Sequence, residues 1–362
     1  MINWLAALMH LQRSATPAVL VTVAAIQGST PREAGARMVF TDTDQFDTIG
    51  GGHLEWRAAH IARTMLANQA DLLAGQRKLE RIALGPSLGQ CCGGVVLLVF
   101  ERVDCTCDQD IGLVLEELQQ HWREGIDFWR AVTLDTPAPV MLIEADGGST
   151  APDAAELAID TLLATHTDTH IASDRHGRRW LLDRCRAHQP QVVLFGAGHV
   201  GTAIVQALTA LSCRIIWVDE REDMFPADLP PNVTIEATDV PNAVVDLADP
   251  GAYFLVMTHS HALDQQLTER ILRRADIAWF GLIGSRTKRQ QFEHRLQERG
   301  ITQEQLNRMT CPIGIPGIYG KEPASIAIAV VAQLLQLWEL RTRGADRRSG
   351  ASLVTQVLDG RH

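Results

Sequence analysis

The sequence predicts a two-domain α/β protein: a mixed α+β domain over residues 1–145, and a domain over residues 189–345 built on a parallel sheet. Three observations predict it. The chain has 362 residues, enough for about two domains at roughly 150 residues each. From Gln191 onward, strand patterns alternate with helix patterns, which implies a parallel sheet with helices on its faces. A glycine turn, Gly196-Ala-Gly198-His199-Val-Gly201, joins the first of these strands to its helix. Residues 146–188, rich in small and polar side chains, read as a linker with peripheral elements, and residues 346–362 as a polar tail.

Taken in order, "MINWLAALMHLQRS" places Ile2, Leu5, Leu8 and Met9 on one helical face, so it reads as a packed amphipathic helix. "AVLVTVAAIQG" is a strand rich in β-branched residues, stopped by Gly28. "STPREAGARMVF" turns into a second strand, and "FDTIGGGHLEWRAAHIARTMLANQ" is a short strand, a glycine loop and a helix. "VVLLVFERVD" reads as a buried strand, "QDIGLVLEELQQHWREG" as a helix, and "DFWRAVTL" and "APVMLIEAD" as strands. In the second domain, "AYFLVMTHSHALDQQLTERILRRA" and "IAWFGLIGSRTKRQQFEHRLQERG" each give strand then helix. "CPIGIPGIYGKEPASIAIAVVAQLLQLWEL" is a loop feeding a long helix, with Pro323 suited to the first turn.

Composition excludes some functions. Net charge is −10, which argues against general nucleic-acid binding, since that needs a basic face. The apolar runs fall short of about 20 residues or carry polar breaks, so no membrane span is expected. The start of the chain lacks a basic lead and a cleavage site, and a cytoplasmic protein is expected. The seven cysteines are odd in number and irregular in spacing, which argues against a disulfide framework. Cys213 reads as an inert buried thiol, and Cys105 and Cys107 as incidental.

The glycine turn follows a strand and opens a helix, as the dinucleotide fingerprint of a Rossmann-like domain requires. Gly196 permits the tight turn, Gly198 the approach of a ligand phosphate, and Gly201 close packing of helix on strand. Asp219 ends the next strand, where an acid would bind a ribose. NAD(P) is therefore one candidate ligand, although such folds host many. His199 lies inside the loop, and His259, His261 and Asp264 follow another strand. These side chains either hold a metal or form a polar loop bonded to backbone. Gly284 and Ser285 precede a helix that starts with Arg286, Lys288 and Arg289. Cations at that helix end fit a bound anion, with a solvated basic face as the plainer explanation.

In the first domain, Gly50–Gly52 with His53 and Glu55 form a second bare loop at a helix start. Ser29, Thr30 and Arg32 sit in a turn. Each reads equally as a connection or as a ligand approach. Cys91-Cys92-Gly93-Gly94 is less ordinary. In extended chain two neighbouring thiols cannot face the same core. Exposed N–H groups of the glycines favour a thiolate, which binds soft metals or carries sulfur; the alternative is one buried cysteine and one idle.

Together, "GSTPREAGARM", "GGGHLEW", "CCGG", "VVLFGAGHVG", "VMTHSHALD", "GLIGSRTKR" and "PIGIPGIYGKEPASIAIAV" resemble the xanthine dehydrogenase accessory factors, the XdhC/CoxI family, in order and over nearly the whole chain. The resemblance implies an XdhC/CoxI-type N-terminal domain and a Rossmann-like C-terminal one. It implies an accessory chaperone rather than a metabolic enzyme. Such a chaperone binds molybdenum cofactor (molybdopterin), protects it, and hands it to an apo xanthine-dehydrogenase-type molybdoenzyme. A cysteine desulfurase sulfurates the cofactor on the way, and a homo-oligomer is expected. The resemblance also implies that Cys91 or Cys92 ligates molybdenum or shields its sulfido group. Gly198, Ser285 and Lys288 would hold the phosphate, with Gly284, Arg286 and Lys321 in the same set. One departure stands in the final loop: the family carries an acid after "PIG", and here Ile315-Pro316 follows. The alternative function is an NAD(P)-dependent oxidoreductase using the glycine turn and Asp219.

Overall fold

A computed structural model describes residues 3–68, 77–85, 93–103, 109–136, 138–144 and 168–359. Cys91, Cys92, Cys105 and Cys107 lie outside the described residues. The chain divides into two compact units: Met1–His188 with Asp346–His362, and Gln189–Ala345.

The first unit is layered. Helix α1 (Trp4–Arg13) starts at Asn3, whose side chain accepts a hydrogen bond from Ala6 N at 2.8 Å. A five-stranded antiparallel sheet follows, built from β1 (Ala18–Gln27), β2 (Arg37–Phe40), β3 (Gln45–Asp47), β4 (Arg77–Ala83) and β5 (Val95–Val103), in the order β3-β2-β1-β5-β4. Helix α2 (Gly52–Ala67) covers one face, burying Leu54, Ala58 and Ala62 against Val19, Val21 and Val23. The alternate residues of β1 face a second sheet, as the two-residue period of a strand demands. That sheet contains β6 (Phe128–Thr133), β7 (Met141–Glu144), β8 (His170–Ser173) and β9 (Arg179–Cys185), in the order β7-β6-β9-β8. Ala24 and Val99 meet Val132 and Leu181 between the sheets. Helix α3 (Gln109–Glu124) packs with α1 through Leu115 and Leu118.

Two sequence-based expectations need correction here. Part of 146–188, expected as a linker with peripheral elements, is β8 and β9 of the second sheet, and Leu181, Leu182 and Asp183 are core residues at most 1% exposed. Strand β9 is disguised because one of its charged residues, Asp183, is buried and neutralised by arginines. Asp183 accepts from Arg37 Nε at 3.0 Å, from Arg130 Nη1 at 2.8 Å and from Thr169 Oγ1 at 3.1 Å. Arg130 Nη2 also reaches Glu101 at 2.8 and 2.9 Å, and the Arg37 guanidinium lies 4.8 Å from the centre of the Trp4 ring. Burial alone would lower the Arg130 pKa, but Glu101 and Asp183 hold it above its ordinary value. The second correction concerns the end of the chain, where backbone expected as a polar tail continues a helix to Asp359. No proline interrupts that stretch.

The second unit carries a six-stranded, all-parallel sheet. Its strands are β10 (Gln191–Phe195), β11 (Arg214–Asp219), β12 (Val233–Ala237), β13 (Tyr253–Val256), β14 (Trp279–Leu282) and β15 (Met309–Thr310). The order β12-β11-β10-β13-β14-β15 is that of a Rossmann fold, with its switch point between β10 and β13. Its helices are α4 (His199–Leu208), α5 (Pro241–Leu247), α6 (His261–Arg273), α7 (Arg286–Glu298), α8 (Gln303–Asn307) and, as far as Ala345, α9 (Pro323–Asp359). Val193 and Phe195 face α6 and α7 through Leu267, Ile271 and Phe292. Val192 and Leu194 face α4 and α9 through Ile204, Leu208, Val330 and Leu334. Burial on both faces explains the continuous apolar runs of these strands. Cys213 is 1% exposed, and burial pushes its thiol pKa up to about 12.

Residues Pro323–Arg341 of α9 are long and apolar enough to cross a membrane, yet Ala327, Val330 and Leu334 of that stretch pack into the sheet core.

Asp183→Ala would leave two buried guanidinium groups without their shared carboxylate. It should cost about 3–5 kcal/mol in chemical denaturation of the first unit. Arg179→Ala, which removes an exposed pair with Asp135, should leave the midpoint nearly unchanged. Equal effects from the two variants would contradict a structural role for the buried network.

Candidate functional site

At the carboxyl edge of the parallel sheet, the glycine turn divides into positions the fold requires and one it does not. Gly196 has φ +122°, and a Cβ there would lie 2.4 Å from the Met257 carbonyl oxygen. A Cβ on Gly201 would lie 2.1 Å from the Gly196 carbonyl oxygen. Gly198 has an extended φ of −75°, and a Cβ would meet nothing within 4 Å. It is the N-cap of α4, and no side chain caps that helix. The first-turn N–H groups there form a natural anion-facing surface. His199 is exposed just beyond.

Asp219 lies where a ribose-binding acid is expected, but it already has partners. It accepts from Ala197 N at 2.7 Å, from Arg221 N at 3.1 Å, and from the Arg221 guanidinium at 2.9 Å on each oxygen. Burial alone would raise its pKa, but the bonds from Arg221 and Ala197 bring it down to about 2. A ribose diol would have to compete with Arg221 for these oxygens. A narrow crevice lined by Gly196, Asp219, Glu220, Thr238, Thr258 and His259 opens beside the pair.

Asp264 is fully buried. It accepts from Thr258 N at 3.0 Å, Thr258 Oγ1 at 2.7 Å and Lys288 Nζ at 2.6 Å. Lys288 Nζ also donates to the Ile283 carbonyl at 2.9 Å. Two expectations change as a result. Lys288 turns inward because the buried carboxylate requires a counter-charge, so its ammonium is not an outward anion holder. Asp264 serves Thr258 and Lys288 rather than the nearby histidines. His261 is exposed at the start of α6, and His259 Nε2 lies 3.4 Å from Glu220 Oε1. Among the described residues no group of three or more His, Cys, Asp or Glu side chains is placed to hold a metal ion.

Ser285 caps its own helix, accepting from Lys288 N at 3.2 Å. The Lys288 stem folds over Gly284, where a Cβ would lie 2.6 Å from Lys288 Cδ. Arg289 bonds Glu293 at 2.7 Å. Arg286 is exposed at the first position of α7, and Lys321 is exposed in the loop before α9.

The first unit has its own glycine-lined end, and here the structure joins motifs that the sequence shows only separately. A Cβ on Gly94 would lie 2.4 Å from the Ser29 carbonyl oxygen, and Gly28, with φ +73°, lies against Gly94. A Cβ on Gly50 would lie 2.5 Å from Pro31 Cγ. Glu55 Oε1 ties the glycine loop to α2, accepting from Thr48 Oγ1 at 2.5 Å, Ile49 N at 3.1 Å and Gly51 N at 2.8 Å. Arg32 Nη1 donates to the Thr48 carbonyl at 3.3 Å. The turn at 28–36 therefore meets Gly93 and Gly94 on one side and the turn at 48–52 on the other, at one end of the sheet. Gly93 resembles Gly198: it has no positive φ, and a Cβ would meet nothing within 4 Å. Gly85, across the β4–β5 ladder, shares that property. Gly85 and Gly93 thus bracket residues 86–92, which contain Cys91 and Cys92.

The fold and the two glycine-built ends define a class: a Rossmann-domain protein with an antiparallel N-terminal unit that carries a second glycine-rich loop cluster. Residues 192–334 match the XdhC Rossmann domain, and residues 11–74 match the XdhC and CoxI family. The chain belongs to the XdhC and CoxI family. The uncharacterized protein YqeB of Escherichia coli is 33% identical over 170 residues, 46% of this chain and 31% of that protein. The chain thus spans about a third of that relative's length in the match. A probable xanthine dehydrogenase subunit of Bacillus subtilis is 22% identical over 322 residues, 88% of this chain and 92% of that one. A crystal structure of a xanthine dehydrogenase from Bacillus halodurans has the same fold, with a TM-score of 0.73 and 21% identity, covering 93% of this chain and 96% of that one.

The glycines separate packing from ligand approach by experiment. Gly198→Ala should melt like the wild type, because its methyl group enters open space, and should weaken binding of a phosphate-bearing ligand. Gly201→Ala should lower the melting temperature, because its Cβ meets the Gly196 carbonyl. A Gly198→Ala protein that both folds and binds normally would remove Gly198 from the ligand surface.

Proposed function

We propose that this chain is a molybdenum-cofactor chaperone that holds and protects the cofactor, supports its sulfuration by a cysteine desulfurase, and delivers it to a xanthine-dehydrogenase-type enzyme. The observation that carries this reading is the glycine end of the first unit. There the packed glycines Gly28, Gly50 and Gly94 bring the turns together, and Gly93, exposed and open on its Cβ side, follows the paired cysteines directly in sequence. Family membership and the names of the two relatives, one a probable xanthine dehydrogenase subunit and the other a xanthine dehydrogenase, support it.

The residues present fit such a group. Molybdopterin combines a phosphate, a planar pterin and a metal-holding dithiolene, and when bound it supplies the metal centre that a client hydroxylase needs. Gly93, exposed and open on its Cβ side, follows Cys91 and Cys92 in the sequence, and backbone N–H groups next to a thiol would favour its thiolate. Either thiolate would suit a soft metal or shield a sulfido ligand. The second unit, taken by itself, has an anion-facing turn of its own at Gly198, the uncapped start of α4. Arg286 adds an outward cation at the start of α7. The Arg221–Asp219 pair counts against a ribose at the usual acid, and so against simple NAD(H) recognition.

Protein purified from a molybdopterin-making host should carry, or take up, a pterin detectable by fluorescence after oxidation. Cys91→Ala combined with Cys92→Ala should reduce retention and client activation with the circular dichroism spectrum unchanged. Clean absence of pterin at saturating cofactor would overturn the proposal. Micromolar NAD(P)H binding with hydride transfer would replace it with an oxidoreductase.

A further inference from the structure

Of the eight tryptophans in the chain, Trp56 is the exposed one, at 65%. Trp4, Trp129, Trp180, Trp217 and Trp279 are buried, and Trp122 and Trp338 are half-buried. An indole left in water forgoes one of the largest burial gains available to a side chain. Trp56 is not a stray residue on a loop. It stands on α2, and the other face of that helix buries Leu54, Ala58, Ala62 and Met65 in the core. The helix therefore fixes the direction in which the indole points.

Its neighbours repeat the chemistry. His53, Trp56, Arg57 and His60 fall at helical spacing on the outward face, and all are exposed. The His53 ring lies 5.0 Å from the Trp56 ring, and the His60 ring lies 6.3 Å away within 11° of parallel. The outward stripe is thus aromatic and cationic on a chain whose net charge is −10. The one acid of the first turn, Glu55, is spent on Thr48, Ile49 and Gly51. Arg57 has no hydrogen bond or ion pair among the described residues. The stripe begins at His53, immediately after the Gly50–Gly52 loop, so it continues the glycine end described above.

We propose that Trp56, flanked by His53 and His60, is a stacking platform for the planar heteroaromatic ring of an anionic ligand, and that this ring is the pterin of the cofactor. Arg57 supplies the adjacent positive charge. The identification of the ring as pterin rests on the chaperone reading; the platform rests on the geometry of α2. A ring stacked on an indole adds affinity without demanding a particular hydrogen-bond pattern. Such a platform suits a carrier that must also release its ligand.

The test is a fluorescence titration of the full chain with the phosphorylated, oxidised pterin released from molybdopterin, run in parallel with AMP and NADH. It uses the wild type, Trp56→Ala and Trp56→Phe. Trp56 is exposed, so both variants should keep the wild-type melting temperature. Wild type should bind the pterin with quenching of indole emission, Trp56→Ala should bind roughly 10-fold or more weakly, and Trp56→Phe should lie between. Pterin binding that is equal in wild type and Trp56→Ala overturns the platform and leaves the chaperone reading standing. Trp56-dependent binding of AMP or NADH without pterin binding overturns pterin as the occupant and the chaperone reading with it. Binding of neither ligand class by wild type overturns both.

Discussion

At Gly94 the chain runs so close to its neighbour that a Cβ would lie 2.4 Å from the Ser29 carbonyl oxygen; at Gly201 the matching distance, to the Gly196 carbonyl oxygen, is 2.1 Å. Contact of backbone with backbone is possible only where the side chain is a hydrogen atom. These contacts bring the turns of each unit together, and they explain glycines that would otherwise look like ligand signals. What they leave unexplained is more informative. Gly93 and Gly198 adjoin the packed glycines, yet neither conformation nor packing requires them.

Buried charge plays a comparable sorting role. Asp264 and Lys288 tie the loop after β13 to the start of α7, and both belong to motifs that look functional from sequence. In the first unit, Arg37, Glu101, Arg130 and Asp183 pair between the two sheets. Such networks cost desolvation and give little net stability, but losing one member is expensive. They fix which strand meets which, and so hold the glycine ends in place without being part of them. The polar groups left for a ligand are exposed ones, among them His53, Arg57, His60, His199 and Arg286.

Much of this was legible in the sequence. Alternating strands and helices after Gln191 and the glycine turn at 196–201 specify a Rossmann domain, and the sheet has that order. Legibility failed where polar residues were buried or where partners were distant in the chain. Strand β9 carries Asp183 and Arg184, and its charges suggest a linker until Arg37 and Arg130 are seen to neutralise Asp183. Strand β4, "RKLERIA", is half exposed and shows only Ile82 buried, so its apolar period is too weak to read. Lys288 looks like an anion holder because Asp264, its counter-charge, lies in a different strand–helix unit. Trp56 sits within a family motif, but an exposed indole and a buried one share the same letter. The convergence of Gly28, Gly50 and Gly94 depends on strand pairing over long sequence separations, which no local pattern records.

The bare backbone at Gly93, beside the paired thiols, is the proposed contact point for a metal-carrying cofactor. Anomalous diffraction at the molybdenum absorption edge, on crystals grown with the cofactor, locates the metal directly. A single strong peak is expected at the glycine end of the first unit, within reach of residues 91–93. A peak lying only elsewhere in the chain, or no peak from fully loaded protein, would contradict that placement.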